Sequence, residues 1–135
     1  MASREEIADF LKQDYPHSTF EVEAVDGGSC RVRYPVVAED LRPGGTVSGP
    51  TMMALADHAL YVATLGAIGI VPLAVTTSFS INFLRKPPAG EDLVADCRLV
   101  KVGRVLVVGD VMIHSAGLEE PVAHATGTYS VPPQR

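Results

Sequence analysis

The sequence has no run of basic residues, only two cysteines, four scattered histidines and no apolar stretch of membrane-spanning length free of polar interruption. Each scarcity closes off a class of function. With 16 acidic against 11 basic residues and a formal charge of −5, neither nucleic acid nor an anionic membrane is expected as the main partner, which leaves a small molecule or a protein. Cys30 and Cys97 are isolated and fit no metal-ligand spacing, so neither a disulfide framework nor a zinc site is predicted and the residues suit a reducing compartment. Arg4, Glu5, Glu6, Asp9 and Lys12 occupy the segment where a secretory leader needs its apolar core, which predicts a cytoplasmic protein. Apolar residues, by contrast, are plentiful. A 47% hydrophobic content over 135 residues supports one domain, 1–135, with a real core.

Ser3 followed by Glu6 reads as a capping box, and Ile7, Phe10 and Leu11 recur at helical spacing until Pro16, predicting a short amphipathic N-terminal helix. Phe20, Val22 and Ala24 then alternate with Glu21 and Glu23. Beyond Asp26-Gly27-Gly28, Cys30, Val32 and Tyr34 alternate with Arg31 and Arg33, which predicts a hairpin. A three-residue turn placing Val25 opposite Ser29 would match Glu23 with Arg31 and Glu21 with Arg33. Residues 38–47 lose all periodicity and form a glycine-containing loop. Further on, Leu73, Val75, Thr77, Phe79, Ile81 and Phe83 alternate with Ala74, Thr76, Ser78, Ser80 and Asn82, giving one face against a core and one polar face. Residues 93–102, 104–115 and 122–131 supply three more strands, the last ended by Pro132-Pro133-Gln134-Arg135. Short connections make the strands antiparallel.

Between the second and third strands lies the stretch around which the rest is arranged, residues 48–65, a helix apolar on nearly every side that has to be buried. Gly49 is expected as its N-cap with Pro50 at the first helical position, and Gly66, Gly69 and Pro72 mark its end. Asp57 falls in its middle. The same-face neighbours Met53, Ala54, Leu60 and Tyr61 offer this carboxylate no positive charge, so it is either an acceptor for hydrogen bonds across the core or an acid retained for chemistry. His58 points about 100° away from Asp57 and reads as a surface or interface histidine. The fold class is α+β: an antiparallel sheet of about five to six strands wrapped around a central apolar helix.

The hairpin, the glycine loop, the helical segment Ala54-Leu-Ala-Asp-His-Ala and the strand Ser80-Ile-Asn-Phe-Leu-Arg85 together resemble the hotdog-fold acyl-CoA thioesterases, nearest the phenylacetyl-CoA thioesterase branch, over residues 36–131. The resemblance implies hydrolysis of an acyl-CoA to a free acid and coenzyme A in a site between two subunits of a homodimer, itself paired into a dimer of dimers, with no metal and no organic cofactor. Asp57 falls at the family's catalytic acid, acting as general base or nucleophile. Gly49 falls at the glycine whose amide binds the thioester oxygen, and Thr76 at a Ser/Thr position that helps hold water or the carboxylate. Ser48-Gly49-Pro50 stands where the family has His-Gly-Gly, so Ser48 either replaces a hydrogen bond of that histidine or only caps the helix, and Arg42 stands where relatives place an asparagine. Arg85, Lys86 and Arg104 are the candidate cations for the coenzyme A phosphates. A hotdog module that binds acyl-CoA without turnover is the alternative, and a dehydratase would need a histidine near the helix start that this chain lacks. Gly49 and Asp57, eight residues apart on one helix, stand about 12 Å apart along its axis, so a shared substrate requires them to come from different subunits.

Overall fold

The computed structural model describes residues 1–133; Gln134 and Arg135, expected at the end of the tail, lie outside the described residues. The elements run α1 (Arg4–Asp14), β1 (Glu21–Val25), β2 (Ser29–Tyr34), a short 3-10 turn (Ala38–Asp40), β3 (Leu41–Arg42), β4 (Thr46–Val47), α2 (Gly49–Ile68), β5 (Val75–Phe83), β6 (Leu93–Val102), β7 (Leu106–Ser115) and β8 (Pro121–Ser130). Six strands form one antiparallel sheet in the order β1-β2-β6-β7-β8-β5, while β3 and β4 make a separate two-stranded ribbon within the loop. The sheet covers α2, whose Leu55, Ala56, Ala59, Leu60, Val62, Ala63 and Leu65 are fully buried. By length and composition α2, alone among the helices of the described residues, could cross a membrane, but 61% of its most apolar window is buried within the fold, as a core helix is.

The capping box at α1 is present, with Ser3 Oγ accepting from the Glu6 amide and Glu6 reaching back to the Ser3 amide. The hairpin differs from expectation by one residue. Glu21 pairs with Arg33 as the charge pattern requires, but a bulge between Val22 and Ala24 sets Ala24 against Arg31 and Val25 against Cys30. Strict alternation would turn either Val22 or Val25 outward; the extra residue lets both pack on the core, and Glu23 is left beside Arg33 at 3.9 Å. Cys30 and Cys97, far apart in sequence, face each other across β2 and β6, both buried and free, and the Cys30 thiol donates to the Ala59 carbonyl at 3.1 Å.

Ser48, not Gly49, is the N-cap of α2: its hydroxyl oxygen accepts from the Thr51 amide, a bond that glycine cannot offer, and Pro50 takes the second helical position. The helix closes at Gly69, whose φ of 97° favours glycine and whose amide reaches the Leu65 carbonyl. Midway along α2, Leu60 presses on the cross-strand pair Gly109 and Gly127, where an added Cβ would lie 2.8 and 2.5 Å from its methyl carbons. The sheet accepts a large side chain there because two facing glycines leave room for it.

The phase of β5 also departs from simple alternation. A bulge between Thr76 and Ser78 inverts the pattern, so Phe79 and Ile81 pack on the core while Leu73 and Val75, expected on that face, are 74% and 55% exposed. Thr76, expected on the polar face, turns inward.

Candidate active site

Asp57 lies two turns into α2, facing the start of β5 and the end of β8. Its Oδ1 accepts two hydroxyl hydrogen bonds, one from Thr76 Oγ1 at 2.6 Å and one from the Tyr129 phenol at 2.9 Å; the phenol also lies 3.1 Å from the Asp57 main-chain oxygen. Thr76 and Tyr129 are direct cross-strand partners, so a single rung of the sheet supplies both donors. None of the ion pairs among the described residues includes Asp57. The carboxylate is thus held by neutral donors, as a partly buried charge must be when no cation is offered. Burial pushes the Tyr129 phenol far above its ordinary range, which keeps its proton in place as a donor.

Asp57 opens on a cleft of about 560 Å³ whose walls include the rings of Tyr61 from its own helix, Tyr129 from β8, and Tyr15 and Phe20 from the α1–β1 connection. A groove of similar size, about 520 Å³, lies against β2, β6 and β7 around Arg31, Asp96 and Asp110 and includes none of the site residues expected from sequence. His58, expected at the surface or at an interface, lines the Asp57 cleft. Its ring stacks on Phe20 with centroids 4.2 Å apart and planes 18° from parallel, and its buried Nε2 has no hydrogen-bond partner among the described residues. Burial lowers its pKa to about 4, so the imidazole is neutral at neutral pH.

Gly49 is the first residue of α2, and its amide meets no acceptor among the described residues, the usual condition of a first-turn N–H. A Cβ at this position would lie 3.2 Å from the ring of half-exposed Phe83. Ser48 faces the same first turn, with its hydroxyl 2.9 Å from Thr51 Oγ1. The loop before the helix is tied down by Asp40, whose carboxylate accepts from the Tyr34 hydroxyl at 2.8 Å, the Val37 amide at 2.8 Å and Thr51 Oγ1 at 3.2 Å. Burial, then the Asp40 carboxylate, push the Tyr34 phenol up to about 12. Arg42 is exposed on β3 opposite Thr46.

The structure therefore joins Asp57 with Thr76 and Ser48 with Gly49, but keeps the two pairs apart at different turns of one helix. The candidate phosphate cations are separated as well. Arg85 and Lys86 follow β5 at the end where Phe83 covers Gly49, and Arg85 is engaged by Glu120 at 3.1 Å and the Pro121 carbonyl at 2.8 Å. Arg104 sits in the β6–β7 turn, at the end of the sheet that carries Tyr129 and Thr76, exposed and outside every ion pair among the described residues. Two contributions were missed in sequence. Tyr129 was readable in principle: on β8 it continues the inward series Ala123, Ala125, Gly127, where a phenol needs a polar partner. Tyr15 stands just before Pro16 at the end of α1 and Phe20 opens the alternation of β1, and neither position signals that its ring borders Asp57.

The sequence profile of the thioesterase superfamily matches residues 44–122. A crystal structure of a protein from Silicibacter sp. TM1040, provisionally described as a thioesterase, is 44% identical over 97% of this chain and 92% of that one, with a TM-score of 0.89. The Streptococcus mutans UA159 protein smu.793, solved with acetyl-CoA, is 30% identical over 87% of this chain and 92% of that one, with a TM-score of 0.78. The Escherichia coli PaaI protein of the phenylacetic acid degradation operon shares the fold at 22% identity, over 96% of this chain and 94% of that one, with a TM-score of 0.84. A comparison with curated proteins gives no match. The sheet around a central apolar helix is the hotdog fold of these neighbours.

Proposed function

The chain belongs to the thioesterase superfamily, and from that premise we propose that it is an acyl-CoA thioesterase in which Asp57 is the catalytic acid. The observation that carries this reading is the Asp57 carboxylate, without a cation among the described residues and held by two hydroxyls at the edge of a partly apolar cleft. That is an uneconomical way to stabilise a core and a suitable way to poise a base or a nucleophile. The acetyl-CoA held by the 30% identical S. mutans protein supports coenzyme A as the carrier of the acyl group. Water is the only co-reactant required: it adds to the thioester carbonyl, the C–S bond breaks, and a carboxylic acid and the coenzyme A thiol are released.

Gly49 supplies the other half of the site. An N–H at a helix start is fixed before the reaction begins and carries the positive end of the helix dipole, so it stabilises the oxyanion that forms on the carbonyl. Eight residues of continuous helix separate it from Asp57, about 12 Å along the axis, and one carbonyl cannot lie within about 3 Å of both. The working unit in this reading is a homodimer in which one subunit gives Asp57 and the other Gly49. The same twofold would bring Arg85 and Lys86 of one subunit toward the sheet end that carries Arg104 of the partner subunit, reuniting the cations that a single chain keeps apart.

Thiol release from a panel of acyl-CoA substrates tests the assignment directly. Wild type should turn over at least one of them, and Asp57→Asn, nearly isosteric but unable to accept a proton, should be slower by about two orders of magnitude or more with its fold intact. Equal rates for the two proteins would remove Asp57 from catalysis; binding without release by wild type would leave an acyl-CoA-binding module.

A further inference from the structure

The two hydroxyls on Asp57 are arranged in a way that distinguishes its oxygens. Thr76 and Tyr129 both address Oδ1, and no hydrogen bond among the described residues reaches Oδ2. A carboxylate gripped through one oxygen by two donors from adjacent strands has its plane fixed, and its second oxygen keeps its lone pairs free.

We propose that Thr76 and Tyr129 form a two-hydroxyl clamp that holds Oδ1 and reserves Oδ2 of Asp57 as the reacting atom, with Tyr129 a positioning residue of the site. This rests on the thioesterase reading above. In the base route, Oδ2 takes a proton from water as the water oxygen bonds to the carbonyl carbon. Collapse of the tetrahedral adduct breaks the C–S bond, its electron pair leaves on sulfur, and the thiolate takes the proton back from Oδ2. In the nucleophilic route Oδ2 itself bonds to the carbonyl carbon and the thiolate leaves; water then adds to the acyl carbon of the anhydride, the bond to Oδ2 breaks, and the proton that water loses goes to the thiolate. Both routes need the same free oxygen.

Two independent features of the fold serve this arrangement. Inward-facing Phe79 and Ile81 would, by strict alternation, place Thr76 on the outer face; the bulge between Thr76 and Ser78 turns it toward Asp57, and Val75 is left 55% exposed as a consequence. Tyr129 is buried to 4% exposure, packs beside Tyr61 with ring centroids 5.9 Å apart, and spans to both the side chain and the main chain of Asp57. A phenol whose one proton is shared between the side-chain and main-chain oxygens of one aspartate fixes where that aspartate stands as well as how it is turned. The other ionisable groups at the cleft are Tyr61 and His58 on α2 and Tyr15 after α1, so no cation among the described residues shares the control of Asp57.

Losing either hydroxyl should free the carboxylate to turn and so misplace the reacting oxygen. The test is the crystal structures of wild type, Tyr129→Phe, Thr76→Val, Thr76→Ser and the double variant Tyr129→Phe/Thr76→Val, alongside kcat and KM for an acyl-CoA. The carboxylate should keep one orientation in wild type and in Thr76→Ser, and be turned or spread over two orientations in Tyr129→Phe, Thr76→Val and most of all the double variant, with kcat lower by about tenfold in each of those two single variants and KM little changed. A merely structural tyrosine would lower Tm and leave the carboxylate and kcat in place. Should Tyr129→Phe fail to fold, Thr76→Val carries the same reading on its own. An unturned carboxylate in the folded variants overturns the clamp whatever the turnover; a turned carboxylate in a protein whose wild type cleaves no thioester upholds the clamp and removes the thioesterase reading instead.

Discussion

Gly127 lies directly under Leu60: a Cβ added to the glycine would stand 2.5 Å from a Leu60 methyl carbon and 3.2 Å from the Phe79 ring. Leu60 is fully buried in the middle of α2, in a close-packed interior, so the close approach of helix to sheet depends on the missing side chain. Gly127→Ala should therefore destabilise the protein by about 1–3 kcal/mol, the usual cost of overpacking a core. Chemical denaturation checks this, and a double-mutant cycle with Leu60→Ala identifies the cause. In the Leu60→Ala background the added methyl should cost much less, because the atoms that it strikes are gone; an unchanged cost would place the strain elsewhere.

His58 gives stability a dependence on pH with a definite sign. Its imidazole, ordinarily near 6.5, is lowered to about 4 by burial in the folded chain. Between those values the unfolded chain binds the proton and the folded chain does not, so stability rises with pH there and is lost as pH falls from about 6.5 toward 4. The loss near pH 4 should be on the order of 2 kcal/mol for this largely buried ring. Wild type should show a steeper fall of Tm over that interval than His58→Phe, which keeps the stack on Phe20 and cannot take up a proton. Parallel curves for the two proteins would show that His58 does not set the slope.

The apolar stretch of α2, the strand count and the antiparallel class could be read from sequence because each depends on a periodicity spanning many residues. The unpartnered Asp57 was visible for the same reason: a charge interrupts an otherwise apolar helix. Both register errors lie at β-bulges. At Val22–Ala24 and at Thr76–Ser78 a single extra residue reverses the facing of those beyond it, and the packing that favours the bulge comes from α2 and β8, elements remote in sequence. The stack of His58 on Phe20 was not legible because Phe20 lies 38 residues away, and its alternation with Val22 and Ala24 marks a strand without saying what that ring packs on. The helix cap was missed by one position, where both Ser48 and Gly49 are acceptable and only the side-chain bond to Thr51 decides.

Arg104 and Arg85 should differ in their roles toward coenzyme A. Arg104 is exposed and outside every ion pair among the described residues, whereas Arg85 is engaged by Glu120 and the Pro121 carbonyl. Arg104→Ala should raise KM for an acyl-CoA by about three- to thirtyfold, the loss of one or two charge-assisted hydrogen bonds to phosphate, with kcat nearly unchanged. A truncated thioester lacking the nucleotide should show no change in KM. A rise of equal size for both substrates would mean that Arg104 does not meet the phosphates.

The site is expected to be completed only when two chains meet. Gly49 and Asp57 belong to the same unbroken helix, Gly49–Ile68, and their separation along its axis is fixed at about 12 Å by helical geometry, beyond what one thioester carbonyl can bridge. If both act on one substrate, two copies of α2 must approach so that the start of one lies near Asp57 of the other, as an antiparallel pair about a twofold axis would allow. Two inactive variants make the test: Asp57→Ala, which removes the acid, and Gly49→Leu, whose side chain would strike the Phe83 ring and crowd the amide. Each should be inactive alone. When they are unfolded together and refolded in equal amounts, about half of the dimers are mixed, and each mixed dimer holds one intact site built from the unaltered Asp57 of one chain and the unaltered Gly49 of the other. Activity should return to roughly a quarter of the wild-type level, half of the dimers with one of two sites working. A site contained within a single chain would remain dead in every mixture, because no chain in the mixture carries both residues intact.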